Sequence, residues 1–220
     1  HIDRKELESR CIPVRTLRED KELLLNLTPA AELSWALLMA CARKLPAAVK
    51  HVVSGGWNRE QFPGIMLNGR QIGIIGCGRI GTWMSRYARA FGMDIVGYDP
   101  FIDEYPPGIK PVSLEELART SDFITIHVPL TENTKGLFSK NHCEMVKPGA
   151  ILINTSRGAI VDEAALLKAL ETNQMGAAGL DVLEDEPDIQ KSPLYQYTQA
   201  HNNLLITPHC GGFSPDAVKV

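Results

Sequence analysis

Gln71-Ile-Gly-Ile-Ile-Gly76-Cys-Gly78-Arg79-Ile80-Gly81 is followed by an amphipathic segment to Phe91 and then by Asp94-Ile-Val-Gly-Tyr-Asp99. The stretch reads as a short apolar strand, a glycine turn, a helix, a second apolar strand and a carboxylate at that strand's end. A lone G-x-G-x-x-G is a weak signal. One that leaves a strand, opens a helix and is answered by an aspartate after the next strand is the dinucleotide fingerprint. Gly76 permits the tight turn, Gly78 lets backbone approach a pyrophosphate, and Gly81 lets the helix pack on the strand. The helix N-terminus offers unpaired N–H groups and partial positive charge to the phosphates. Asp99 would accept hydrogen bonds from ribose hydroxyls and repel a 2′-phosphate, which favours NAD over NADP.

Beyond this unit the alternation continues. Strands are expected over 72–75, 95–98, 123–128, 150–153, 177–180 and 204–206, with helices over 80–91, 139–146 and 163–170. Ser113-Leu-Glu-Glu116 reads as a capping box opening a short helix, and Asp162 as the cap of the helix after it. Short, continuously apolar strands between helices imply a doubly wound parallel α/β sheet covered on both faces. Each strand is then followed by something polar or glycine-rich: the glycine turn, Asp99, His127-Val-Pro129, Thr155-Ser156-Arg157-Gly158, Asp181 with Glu184-Asp185-Glu186-Pro187, and Pro208-His209-Cys-Gly211-Gly212. Ligands of such sheets bind outside the carboxyl ends of the strands, so these turns converge on one rim.

Upstream, Thr28-Pro29 starts a helix with an N-cap and a first-turn proline. Its period runs towards Val53, and Pro46 should kink or break it. Trp35, Leu38 and Met39 look exposed on it, which makes it the candidate interface of a homodimer. Residues 1–27, with a short helix near 6–10 and a strand over 11–15, are too few to bury a core of their own.

The chain of 220 residues is 44% hydrophobic and 22% charged, with a net charge of −3. No basic field exists to hold nucleic acid, and no apolar run approaches the ~20 residues of a membrane span. Five cysteines, none spaced as C-x-x-C, argue against a disulfide scaffold or structural zinc and suit a reducing cytoplasm. Cys77 and Cys210 lie near the site and read as small buried fillers. No Cys/His/Asp clustering suggests a catalytic metal. His1, His51, His127, His142 and His201 read as structural, His127 near the adenine end of a cofactor.

Together the glycine turn, His127-Val-Pro-Leu-Thr131, Asn154-Thr-Ser-Arg-Gly-Ala-Ile-Val-Asp162, Gly179-Leu-Asp-Val-Leu-Glu-Asp-Glu-Pro187 and Thr207-Pro-His-Cys-Gly-Gly212 resemble the NAD-dependent D-2-hydroxyacid dehydrogenases. The resemblance covers nearly the whole chain. It implies a Rossmann domain over 28–212, a remnant of a second, substrate domain over 1–27, and over 213–220 the start of a helix returning to that domain. It also implies hydride transfer between NAD(H) and a small 2-hydroxy or 2-oxo acid, acting on the CH–OH group of donors. Arg157 matches the family's substrate-gripping arginine, Glu186 the carboxylate partnering the histidine, and His209 the general acid/base. The types suit the chemistry: reduction of a ketone needs a proton donor and a cation near the carbonyl oxygen. Taken singly, each has a duller reading, as a surface cation, a member of a solvated acidic run, and a buried structural histidine.

By the same resemblance Arg79 and Ile80 would meet the pyrophosphate, and Pro129 and Thr134 would wall the adenosine. Thr155, Ser156 and Asp181 would border the nicotinamide, with Asp181 on its carboxamide; Gly211 and His209 would complete the cofactor's surroundings. Arg79 alone also reads as a solvated helix residue. Family members begin with a strand-rich substrate domain carrying a glycine loop, and His1-Ile-Asp3 resembles the sequence just after that loop, so most of that domain is expected to be absent. Corepressors of the same fold bind NAD without catalysis and stand as the alternative. Formate dehydrogenases place a glutamine where Glu186 stands.

Overall fold

The computed structural model describes residues 4–13 and 21–218. Seven strands form one sheet: β1 (Gln71–Ile75), β2 (Asp94–Tyr98), β3 (Lys110–Pro111), β4 (Phe123–Ile126), β5 (Ala150–Asn154), β6 (Met175–Leu180) and β7 (Leu204–Ile206). Their order is β3-β2-β1-β4-β5-β6-β7 and every pair is parallel. The order reverses between β1 and β4, which pair from Ile72 opposite Phe123 to Ile75 opposite Ile126. A crevice opens at such a reversal because the chains leaving the two strands depart to opposite sides.

Alternate residues of each strand feed two cores. Ile72, Ile74, Phe123, Ile151 and Ile153 face one, beneath α3 (Pro29–Ala42) and α5 (Arg79–Ala90). Ile75, Ile124, Ile126 and Leu152 face the other, beneath α6 (Leu114–Thr120), α7 (Lys140–Met145), α8 (Glu163–Glu171) and α9 (Pro193–Thr198). Burial on both faces is why the strands are apolar runs rather than alternating patterns. The remaining helices are α1 (Arg4–Ser9), α2 (Lys21–Asn26), α4 (Leu45–Val53) and α10 (Pro215–Val218).

The expected architecture is present, with local differences. β3 was not expected; its two exposed residues carry no hydrophobic signal and pair only with β2. The helix from Thr28 ends at Ala42, and Lys44 takes a left-handed conformation (φ 51°) before α4 begins, with Pro46 inside its first turn. Of the strand expected over 11–15, Cys11 to Pro13 are not in a strand, and residues 14–15 lie outside the described residues, as does the motif at residues 1–3. Ser113 caps α6 by accepting from Glu116 N, but the reciprocal box sits on α7, where His142 Nδ1 accepts from Ser139 N.

Two expectations about α3 need correction. Leu24–Ala42, with 19 residues and mean hydropathy 1.3, is long and apolar enough to cross a membrane by length and composition alone. Within it Ala31, Ser34, Leu37, Leu38, Cys41 and Ala42 are buried, and α3 packs on β5, β6 and α5, as a core helix does. Leu38, read as exposed, is 0% exposed, and Trp35 packs against Tyr87 and Phe91 at centroid distances of 5.7 and 5.1 Å. α4 has no buried residue, and the apolar surface lies there and just beyond: Val53 is 83% exposed and Trp57 90%.

Truncating Leu38 to alanine should cost about 2–5 kcal/mol, the usual range for a fully buried leucine. Val53→Ser should stay within about 0.5 kcal/mol. Denaturant midpoints of the two variants check both, and equal values would contradict this packing.

Candidate functional site

The glycine turn is built as its spacing requires. Gly76 has φ +90°, and a Cβ there would lie 2.6 Å from His127 O across the β1–β4 crevice. A Cβ on Gly81 would collide with Gly76 O, so the first turn of α5 rests directly on the strand end. Gly78 is the opposite case: a Cβ there would meet nothing within 4 Å, which leaves open space in front of the α5 N-terminus. A diphosphate fits that place, where the free N–H groups of α5 point outwards.

Asp99 ends β2 beside this turn. Its Oδ2 accepts from Cys77 N at 3.0 Å and its Oδ1 from Phe101 N at 3.1 Å, so it ties the two strand ends together. Each carboxylate oxygen keeps a second acceptor site for a hydroxyl. Arg79, expected by resemblance at the pyrophosphate, donates its Nη1 to Leu27 O, and burial lowers its pKa. Its backbone faces the open space; its guanidinium holds the segment leading into α3. Ile80 is half-buried in the same turn.

At the β4 end, Thr134 Oγ1 donates to Pro129 O at 2.6 Å and accepts from Thr131 N at 2.8 Å, closing the loop after His127. His127 Nε2 lies 2.7 Å from Thr125 Oγ1 and its Nδ1 is enclosed with no partner. Burial lowers this histidine's pKa to about 3.

At the β5 end, Asn154 shapes the next turn by donating to Arg157 O (2.9 Å) and accepting from Ser156 N (3.0 Å). Ser156 Oγ donates to Ile126 O at 2.8 Å, and Thr155 Oγ1 lies 2.7 Å from Ser34 Oγ of α3. Arg157 is exposed, with its Nη1 on Ser156 O at 2.6 Å. Gly158 is packed so tightly on the Leu183–Glu184 peptide that any Cβ would overlap it, which locks the Arg157 turn to the loop after β6.

That loop carries Glu186, and its Oε1 lies 2.7 Å from His209 Nδ1. An ionised carboxylate can only accept, so the contact calls for the proton on Nδ1 and leaves Nε2 as the other ring nitrogen. The pair borders a cavity of about 910 Å³ lined on its apolar side by Leu33, Ala36 and Leu205. His209 has φ +51°, a left-handed conformation costing a non-glycine residue about 1–2 kcal/mol. Asp181 is 1% exposed, and its carboxylate accepts from Thr207 Oγ1, Cys210 N and Gly211 N.

Two contributors had no readable signal. Glu163 Oε1 accepts from Glu184 N at 2.8 Å and so anchors the Glu186 loop; burial raises its pKa, and Glu184, Asp185 and Glu186 add to the rise. Ser34 reaches Thr155 from 121 positions away. Cys77 is buried, but Cys210 is only partly so. Among the described residues no group of three His, Cys, Asp or Glu is placed to hold a metal.

A doubly wound sheet with a glycine cradle at its reversal defines a nucleotide-binding domain, here with an imidazole–carboxylate pair on the same rim. The family profile "D-isomer specific 2-hydroxyacid dehydrogenase, NAD binding domain" matches residues 35–211, and the chain belongs to that family. It is 40% identical over 195 residues to the D-3-phosphoglycerate dehydrogenase of Archaeoglobus fulgidus, covering 87% of this chain and 36% of that protein. The TT0316 protein of Thermus thermophilus superposes with a TM-score of 0.85 at 36% identity, covering 99% of this chain and 67% of the other. D-lactate dehydrogenase with NAD+ from Lactobacillus jensenii gives 0.81 at 28% identity, covering 99% and 68%. The chain thus spans about a third of the length of the curated relative.

Gly78→Val should cost no more than about 1 kcal/mol of stability, the N-cap preference alone, because no neighbour obstructs the new side chain, yet weaken NADH binding at least tenfold (about 1.4 kcal/mol). Fluorescence titration and a melting curve check the pair of outcomes. A histidine held neutral by burial stabilises the fold above its unfolded pKa near 6.5, and that contribution is lost as pH falls towards 3. Urea unfolding should therefore show stability falling below pH 6.5 by up to about 1.4 kcal/mol per unit, and His127→Gln should flatten the slope.

Proposed function

We propose that this chain is the cofactor-binding and proton-transferring part of an NAD-dependent D-2-hydroxyacid dehydrogenase. The observation carrying the reading is the 2.7 Å contact between His209 Nδ1 and Glu186 Oε1, on the rim that also bears the glycine cradle. NAD supplies the hydride acceptor or donor. In the reducing direction the imidazolium form of His209, its Nδ1–H held by Glu186, gives its Nε2 proton to the substrate carbonyl oxygen as negative charge develops there and is left as the Nδ1–H imidazole. Arg157 is permanently charged and planar, so it holds the substrate carboxylate through two donors. Asp99 takes the ribose hydroxyls, favouring NAD. Thr155, Ser156 and Gly211 border the nicotinamide, and Pro129 and Thr134 the adenosine. Relatives near 40% identity are named D-3-phosphoglycerate dehydrogenases, so 3-phosphoglycerate is the first acid to test.

Residues 1–27 and 213–220 are proposed as parts of a substrate domain that completes the cleft. Five unpaired cysteines support a cytoplasmic protein, with burial pushing Cys41, Cys77 and Cys143 up to about 12, where their thiols stay protonated and inert. The exposed face of Leu45, Val49, Val52, Val53 and Trp57 supports a homodimer.

The 220-residue chain should bind NADH, which a fluorescence titration checks. In the intact enzyme His209→Ala should lower turnover by about 10²–10⁴ with NADH binding retained. Unchanged turnover would remove His209 from the mechanism. Val52→Asp combined with Trp57→Asp should convert a dimer to a monomer by light scattering.

A further inference from the structure

Asp181 directly follows β6, the strand whose outgoing loop carries Glu186, and lies beside the end of β7, which leads to His209. Asp181 Oδ1 accepts from Thr207 Oγ1 at 2.6 Å and from Cys210 N at 3.0 Å, while its Oδ2 accepts from Gly211 N at 2.7 Å. These donors bracket His209, at positions −2, +1 and +2 from it. Between Pro208 and Gly212, His209 N bonds locally to Thr207 O, and the other backbone donors that reach the sheet both end on Asp181.

We propose that Asp181 is a positioning residue for His209: its buried carboxylate clamps the 207–211 loop so that the left-handed His209 backbone delivers Nδ1 to Glu186. The proposal rests on the reading of His209 and Glu186 as the proton-transferring pair, but concerns the direction of the ring rather than the substrate. A left-handed backbone is uncommon for a residue with a side chain, and the bonds of its neighbours hold His209 in it. Those three hydrogen bonds, joined by a longer one from Cys210 Sγ at 3.6 Å, all end on one carboxylate, which accepts at both oxygens without needing a donor of its own. With the loop fixed, Glu186 receives Nδ1–H, and Nε2 is left as the acid/base atom. A nicotinamide carboxamide bonded by Asp181 would share a carboxylate already committed to the loop.

An asparagine at 181 cannot reproduce the clamp. Whichever way its amide is turned, one –NH₂ faces a backbone N–H of Cys210 or Gly211, leaving that donor unpaired. Thr207→Val removes one donor without touching the acid, and Thr207→Ser keeps the hydroxyl.

The test is long-range proton–nitrogen NMR of the ¹⁵N-histidine-labelled 220-residue chain, with His209 assigned by its loss in His209→Gln. Wild type should show the Nδ1–H tautomer when neutral. D181N and T207V should shift the ring nitrogens towards the values of a Glu186→Ala reference, and T207S should restore the wild-type spectrum. Melting curves show which variants remain folded; if D181N does not, T207V decides. A wild-type tautomer in a folded D181N or T207V overturns the clamp, and if NADH affinity falls at the same time, Asp181 belongs to the nicotinamide instead. In the intact enzyme T207V should lower kcat at least tenfold with the KM for NADH unchanged, and T207S should restore it. Absence of turnover in the wild type would overturn the dehydrogenase reading and leave the tautomer result standing by itself.

Discussion

Every strand in this sheet runs the same way, and that single constraint organises the molecule. A parallel neighbour is reached only by crossing over a face, so helices cover both sides and the inner strands are sealed between two cores. Polar chemistry then has no place within the strands and must leave at their ends. The two polar residues buried inside inner strands follow the rule, each spending its side chain on the rim. Thr125 holds the ring of His127, and Asn154, the last residue of β5, shapes the Arg157 turn.

Loops leaving a sheet lose their ladder partners, and their buried N–H groups must be paired elsewhere. Here acidic side chains take them up repeatedly. Asp99 takes Cys77, Glu163 takes Glu184, and Asp181 takes two backbone donors and a hydroxyl. At the opposite end of the sheet Asp122 does the same for Gln71, with Lys147 and Arg70 beside it. The rim is consequently rich in negative charge, balanced by the α5 N-terminus and the exposed Arg157. Those two features are what the rim presents to an anion.

Legibility followed the reach of each interaction. β1 and β5 were visible because burial on both faces makes a strand apolar throughout. The extra strand β3 was invisible because its two residues are exposed and exist as a strand only through β2. α9 had local signals, a Ser192 cap and Pro193 in the first turn, that the apolar period alone did not capture. Leu38 was misjudged because α3 packs on two sides, against the sheet and against α5, so a single apolar stripe understates its burial. The guanidinium of Arg79 in the glycine motif bonds a carbonyl far upstream, a contact that no local pattern announces.

The sequence by itself determined the alternation, the glycine cradle and the residue types on the rim, since each depends on neighbours a few positions away or on spacing within one crossover. Tertiary structure alone decided which rim residues meet. The pairing of His209 with Glu186, the grip of Asp181 on the last loop and the contact of Ser34 with Thr155 join segments that only the order of strands brings together. No local pattern encodes such contacts, because their geometry is set by how the whole sheet is wound.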